Sequence, residues 1–305
     1  MRILVTGGAG FIGSHFVERF HSDSELLVVD NLRTGYLENL EGLNHTFHRI
    51  SVADFDRLVP LCEGVETIFH LAAMISVPES MEKPAECVRI NTLGTLNVLE
   101  AARRAGVKNV VFASSAAVYG DNPTVPKVET MLPEPNSPYA VTKLDGEYYM
   151  RMYRKEWGIN CTSLRFFNVF GPRQDPGSQY AAAIPIFIYR ALRGQDIVIY
   201  GDGSQVRDFI FVKEVVAAGI LACEKGKDIY NVARGEYITI RQLAELIIDL
   251  TGSSSEIVHT HPRPGDIHTS YADISRLVGL GFQPSGDQQA SLLETIAFFE
   301  SRLNR

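Results

Sequence analysis

A doubly wound, parallel α/β sheet with a smaller mixed α/β lobe beside it is the fold this sequence predicts, and three observations predict it. An apolar run rich in β-branched residues, Ile3-Leu4-Val5, passes directly into glycines at Gly7, Gly10 and Gly13, then into a helical pattern carrying Phe16, Val17 and Phe20. Short apolar runs alternate with helical spacing as far as residue 170, which is the rhythm of β-α-β units. Beyond Gly171 that rhythm breaks down into loop, helix and short strands in no regular order.

The first unit is a strand, a tight turn and a helix. Its glycines have separate tasks: one lets the chain reverse, one lets backbone N–H groups approach a pyrophosphate, and one lets helix and strand pack closely. The helix start at Phe11-Ile12 turns its positive end toward the phosphates. Leu26-Leu27-Val28-Val29 is a second strand, and it ends at Asp30-Asn31. That is about twenty residues past the glycines, where a Rossmann-type fold places the acid that holds the adenosine ribose. A carboxylate there repels a 2′-phosphate, so the cofactor expected is NAD rather than NADP; Arg33 is the one residue that tempers this.

Asn31 to Gly35 is loop, and Thr46 to Ile50 is a third strand ending near Ser51-Val52. Thr67 to Ala73 is a fourth, and the small residues in Leu71-Ala72-Ala73 either leave space for a cofactor or simply pack closely. Asn91 to Gly106 carries Leu93, Leu96, Val98, Leu99 and Ala102 at helical spacing with a glycine stop, and Val110 to Ala113 is the fifth strand. Asp121 to Ser137 is a proline-rich loop. Asn136-Ser137-Pro138 then caps a helix that runs to about Glu156 and stops at Trp157-Gly158. Cys161 to Phe167 is the sixth strand. Past it come loop from Pro172 to Ser178, helix from Ala181 to Leu192, and a strand from Ile197 to Tyr200. A helix from Lys213 to Lys225, a strand from Ile229 to Val232, and helices over 240–250 and 290–303 complete the chain. Residues 1–170 are thus the expected NAD-binding domain, with some later segments returning to it, and 171–305 are mainly a substrate lobe. Chemistry belongs in the cleft between them.

With 305 residues, 45% hydrophobic and 21% charged, the chain has the composition of a soluble globular protein with a substantial core. A net charge of −7 with no basic run argues against a nucleic-acid surface. No apolar segment is long enough to span a bilayer, and a first strand at Ile3 leaves no room for a cleavable signal, so a cytoplasmic location is expected. Cys62, Cys87, Cys161 and Cys223 share no metal-ligand spacing; free thiols and no metal are expected.

Tyr139-Ala140-Val141-Thr142-Lys143 puts a phenol and an ammonium four residues apart near a helix start, on one face. A nearby cation favours the phenolate and makes it a usable proton acceptor. Ser114-Ser115, just after the fifth strand, supplies a hydroxyl that could meet the same substrate atom. Ser115, Tyr139 and Lys143 beside a glycine-rich NAD site make a dehydrogenase centre.

With these residues the chain resembles the extended short-chain dehydrogenases/reductases, and within them the nucleotide-sugar 4-epimerases. The resemblance covers nearly the whole chain. It is carried by Thr6-Gly7-Gly8-Ala9-Gly10-Phe11-Ile12-Gly13, Asp30-Asn31-Leu32, His70-Leu71-Ala72-Ala73, Asn91-Thr92-Leu93-Gly94-Thr95 and Ser114-Ser115-Ala116-Ala117-Val118-Tyr119-Gly120. Tyr139 with Lys143, the run from Arg165 to Pro172, Arg207-Asp208-Phe209 and Arg263-Pro264-Gly265-Asp266 complete it. It implies an NAD-dependent 4-epimerase of UDP-hexoses, in which Tyr139 takes the proton from the sugar O4, Ser115 relays it and Lys143 holds the nicotinamide ribose and depresses the phenol's pKa. Sugar 4,6-dehydratases carry Asp-Glu just after the serine, and UDP-glucuronate decarboxylases tend to carry a glutamate. Ala116-Ala117 can transfer no proton, so the dehydratase and decarboxylase readings lose most of their weight. The alternative kept is a nucleotide-sugar dehydratase or reductase, a net reductase being distinguished by uptake or release of NAD(H) during turnover.

The same resemblance implies further NAD contacts at Thr34, Gly35, Ser51, Val52, Asn91, Ala113, Phe166 and Phe167. The family often has an aspartate where Ser51 stands, which leaves the adenine to the Val52 backbone or Asp54. For the UDP-sugar it implies Ser76, then Asn168, Arg207 and Arg263 on the pyrophosphate with Asp266 nearby, and Ala183, Ile184, Pro185 and Phe187 with Val198, Ile199 and Tyr200 around the base. Members restricted to glucose and galactose carry a tyrosine four residues past the aspartate that matches Asp266. Ser270 stands there in this chain, leaving room for an N-acetyl group. A homodimer of paired helices is implied as well, although the stripe Val141, Leu144, Tyr148 and Met152 is of a kind more often found in a core.

Overall fold

The computed structural model describes residues 1–177, 182–262, 267–284 and 287–303. Its first six strands are β1 (Arg2–Thr6), β2 (Glu25–Asp30), β3 (Thr46–Arg49), β4 (Thr67–His70), β5 (Asn109–Ser115) and β6 (Asn160–Phe166). Short strands β7 (Asn168–Phe170), β8 (Ile197–Tyr200), β9 (Val206–Arg207) and β10 (Phe209–Phe211) follow, before β11 (Ile229–Val232). The central sheet is parallel throughout, in the order β11-β6-β5-β4-β1-β2-β3. Successive strands are added outward from β1 toward β3 on one side and from β4 toward β6 on the other. This reversal of strand order between β1 and β4 opens a crevice at their carboxyl ends.

Ile3, Leu4 and Val5 of β1 are all fully buried because helices cover both faces of the sheet, which is why the run is uninterrupted by polar residues. Burial of each such side chain contributes about 1.5–3 kcal/mol. On one face, Phe16 and Val17 of the helix Phe11–Phe20 and Val215 and Ala218 of the helix Val212–Lys225 pack against Val5 and Phe69. On the other, Val98 and Leu99 of the helix Gly94–Ala105 and Met150 and Tyr153 of the helix Pro138–Trp157 pack against Leu4 and Ile68. The long helix starts where the Ser137 hydroxyl accepts the Ala140 N–H and stops at Gly158 in the left-handed region, φ 70°.

Two expectations change. The helical run expected from Asn91 begins earlier: Pro84–Val88 leads through a π-helical turn, Arg89–Leu93, into Gly94–Ala105, and a short helix Val77–Glu82 precedes it. Pro78 and Pro84 occupy the first turns of their helices, where a missing N–H costs nothing, so prolines that look like breakers are starters. The stripe expected to lie in the core is on the surface: Val141 is 42% exposed, Tyr148 58% and Met152 40%, and Leu144 alone packs inward. The strand β11 and the helix Val212–Lys225 belong to the first layer and its covering, so the boundary at residue 170 is crossed by the later chain.

The second lobe has its own core of Ile184, Phe187, Ile197, Ile199, Leu243, Ile247, Leu292 and Phe299. Strands β12 (Ile238–Thr239), β13 (Ile257–Thr260) and β14 (Thr269–Ser270) complete it. Here β13 pairs with β8, β10 with β7, and β12 and β14 flank β9. No helix among the described residues is long and apolar enough to cross a membrane.

Candidate active site

A cleft of about 310 Å³ opens along the carboxyl ends of β1, β2, β4, β5 and β6. Gly7, at φ 71°, turns the chain out of β1, and its N–H donates to the Val29 carbonyl at 2.7 Å. A Cβ on Gly7 would stand 2.7 Å from the Ala72 nitrogen, and one on Gly13 would stand 2.1 Å from the Gly7 oxygen. The loop therefore packs onto Leu71-Ala72 and the helix onto the loop only as glycines. Gly10 caps the helix Phe11–Phe20 without a side chain, which leaves the first-turn N–H groups facing the cleft that Phe11, Ile12 and Gly13 line. A pyrophosphate fits such a cradle.

Asp30 closes the far end. Its carboxylate accepts the Ala9 N–H at 3.0 Å and the Leu32 N–H at 2.8 Å, one on each oxygen. Burial raises its pKa, and hydrogen bonds from Leu32, Ala9 and Asn31 oppose that rise. Asn31, Arg33, Thr34, Ser51, Val52, Leu71, Ala72, Ala73, Ala113, Phe166 and Phe167 all line the cleft. Four neighbouring positions do not. Gly35 packs behind Ala9, against which a Cβ would stand 2.9 Å from the carbonyl carbon. Asn91 is buried; its amide donates to the Met74 carbonyl and the Thr142 hydroxyl, both at 3.0 Å, and accepts the Met74 N–H at 2.7 Å. It acts on the cleft by fixing the chain beside it. Ser76 caps the helix Val77–Glu82 through the Glu79 N–H, and Asp54 caps Phe55–Leu58 through the Arg57 N–H.

Ser115, Tyr139 and Lys143 come together on the floor, at the end of β5 and the start of the long helix. The Ser115 hydroxyl accepts the Ala117 N–H at 3.1 Å and lines the cleft beside the Tyr139 phenol, whose pKa it lowers. Lys143 donates to the Ala113 carbonyl at 2.6 Å, and its Nζ lies 5.7 Å from the centre of the Tyr139 ring. Burial draws the ammonium's pKa down to about 8. The phenol departs from expectation. Burial raises its pKa, and the opposing group is Ser115 rather than Lys143, whose proton goes to a backbone carbonyl. A lower phenol pKa therefore requires a positive charge inside the cleft itself.

Behind this floor lies a buried brace that sequence reasoning missed. Ser114 donates to Glu147 at 2.5 Å, and Arg165 grips the same carboxylate with two bonds of 2.8 and 2.7 Å. The Arg165 guanidinium also lies over the Tyr119 ring, and Tyr119 donates to Asn231 at 2.6 Å. The available signal was an arginine within an apolar strand and a glutamate one helical turn past Lys143. Gln174 and Ile75, also missed, line the cleft; Gln174 is held by its donation to the Val169 carbonyl at 3.2 Å.

In the second lobe, Asn168 donates to the Asp208 carbonyl at 2.8 Å, and Arg207 donates to the carbonyls of Val206 and His268. Ser270 pairs with Arg207 across β14 and β9. Asp208 is buried and accepts N–H groups from Arg234 and Gly235, and burial pushes its pKa up to about 6. Ile199 has essentially no exposure because alternation in β8 turns it and Ile197 inward, and Ile184 and Phe187 are buried in the same core from the helix Ala183–Leu192. Their side chains belong to the core, and Ala183, Val198 and Tyr200 are the more open of the residues expected around a base. Arg263 and Asp266 lie outside the described residues.

Residues 3–233 match the NAD dependent epimerase/dehydratase family. The chain belongs to that family. NAD is the cofactor of this epimerase/dehydratase fold, and the glycine cradle and Asp30 suit it. The chain is similar to a UDP-glucose 4-epimerase of Mycolicibacterium smegmatis, 39% identical over 312 residues and 99% of both chains. It is also similar to a UDP-N-acetyl-alpha-D-glucosaminuronate decarboxylase of Bacillus cytotoxicus, 36% identical over 98% of this chain and 97% of the relative. Among solved structures it is similar to a UDP-N-acetylglucosamine 4-epimerase from Methanobrevibacter ruminantium in complex with UDP-N-acetylmuramic acid, with TM-score 0.96, 42% identity, and 99% and 98% of the two chains covered.

Proposed function

We propose that this family member is a UDP-sugar 4-epimerase that interconverts UDP-glucose with UDP-galactose and UDP-N-acetylglucosamine with UDP-N-acetylgalactosamine. The observation that carries the reading is the convergence of Ser115, Tyr139 and Lys143 on the cleft floor, with Ser115 followed at once by Ala116 and Ala117. Tyr139 takes the sugar O4 proton with Ser115 hydrogen-bonded to the same oxygen. As the C4–H bond breaks with its electron pair, a C4=O bond forms. NAD, when bound, would supply the acceptor and donor for that hydride. The 4-keto sugar turns over in the site, and Tyr139 gives its proton back to O4 once the opposite face is presented. Lys143, whose ammonium donates to the Ala113 carbonyl, would hold the nicotinamide ribose, and the cofactor's positive charge would support the phenolate.

A dehydratase or decarboxylase needs a further group for proton transfer beside the sugar, and the two alanines offer none. The hydroxyl-sized Ser270, together with the 42% identical relative that acts on a UDP-N-acetyl sugar, supports acceptance of the N-acetyl pair. A cytoplasmic homodimer completes the reading: the four thiols are free, and the exposed Val141, Tyr148 and Met152 supply an apolar face. Incubation with UDP-glucose, UDP-N-acetylglucosamine and UDP-glucuronate, with product analysis, tests it. Epimers of the first two support the proposal, and loss of water or carbon dioxide overturns it. Ser270→Tyr is expected to abolish N-acetyl turnover selectively.

A further inference from the structure

Asp30 and Arg33 pull in opposite directions. In dinucleotide folds an acid at the end of the second strand takes the ribose hydroxyls of NAD, whereas an arginine close by accommodates the 2′-phosphate of NADP. Arg33 stands three residues past Asp30 and lines the same cleft. By chemistry it could serve either a bare ribose or a phosphate.

The structure commits its guanidinium elsewhere. One terminal nitrogen donates to Glu86 at 2.5 Å and the other to Glu79 at 2.7 Å. Both carboxylates come from the helical segment that sequence analysis missed, Glu79 from Val77–Glu82 and Glu86 from Pro84–Val88. Lys83 adds a contact to Glu79 at 3.3 Å. This corner therefore sets three carboxylates, with Asp30, against two cations. An arginine with both ends occupied would have to break two charge-assisted bonds to grip a phosphate with its fork.

We propose that Glu79 and Glu86 are specificity-determining residues, which clamp Arg33 so that the adenosine-ribose corner takes NAD and rejects a 2′-phosphate. This rests on the family's cofactor and is independent of which sugar the enzyme turns over. Asp30 then supplies repulsion, and the clamp withholds the cation that would offset it. Arginine at position 33 is compatible with NAD selectivity only because two acids outside the glycine motif hold it.

The test uses the full-length chain freed of dinucleotide and titrated with NADH and with NADPH, followed by nicotinamide fluorescence. In Glu79→Gln/Glu86→Gln the Kd ratio of NADPH to NADH is expected to fall by about tenfold, as one freed arginine acquires a charge-assisted phosphate contact. Adding Arg33→Ala to that variant is expected to restore the wild-type ratio. An unchanged ratio in the double variant overturns the proposal. So does a gain that survives in the triple variant, because it would come from lost negative charge and not from Arg33. The pairs are partly exposed, so folding is not at stake, and a circular dichroism melt verifies this.

Discussion

At Lys143 the fold sets a charge against its own burial: the ammonium has a single carbonyl partner, Ala113, and its pKa is drawn from 10.5 to about 8. It is charged below about 8 and neutral above. Affinity for NAD, measured by fluorescence titration, should therefore weaken as pH rises through 8, by roughly tenfold or more for a charge-assisted contact of 1.5–3 kcal/mol. Lys143→Met should flatten that dependence. Folding stability moves the other way. Between pH 8 and 10.5 the unfolded chain holds more protons on this lysine than the folded one, so its contribution rises with pH. Tyr139→Phe should lower epimerisation by at least 10²-fold while leaving NAD affinity nearly unchanged. The Tyr139–Lys143 spacing was legible in the sequence because a helix puts residues four apart on one face. The electrostatics were not, because spacing does not say that Nζ reaches a carbonyl on β5 instead of the phenol.

Among the elements, the long helix is tied to β5 and β6 by Glu147, which receives Ser114 and Arg165 from the two strands. Both partners of the ion pair are at most 2% exposed. Removing one leaves a buried charge unpaired, so Glu147→Gln should cost about 3–5 kcal/mol in urea unfolding, and Glu147→Met/Arg165→Met should recover most of that loss. Equal destabilisation by the single and double variants would contradict the account. Helix limits were legible wherever a cap announced them, as at Ser137 and Gly158. The helices over 77–88 were hidden by two prolines at their starts and by the lack of an apolar period. The partner of β11 was hidden too, since a four-residue apolar run does not say which sheet it joins. That hidden 77–88 segment carries the two acids on Arg33.

For the whole molecule, the cleft at the sheet's switch point follows from glycines and strand order, which is why the cofactor half was the more legible. The second lobe was placed largely by resemblance, and its expected base pocket included Ile184 and Ile199, which strand alternation and helix packing turn into the core. On the outside, Val141, Tyr148 and Met152 stand exposed on one helix, and the helical run packed beside it adds Val88 and Leu93. Sedimentation velocity should show a dimer that Tyr148→Glu/Met152→Glu converts to monomer with its fold intact; a monomeric wild type would remove the pairing from the account.

The central claim is that one hydrogen leaves C4 and comes back to the same carbon on its other face. Turnover of UDP-glucose deuterated at C4, followed by mass spectrometry and NMR of the product, tests it most directly. The account predicts UDP-galactose that keeps its deuterium at C4, with no net accumulation of NADH. Washout of the label into solvent, or a product lighter by water, would contradict it.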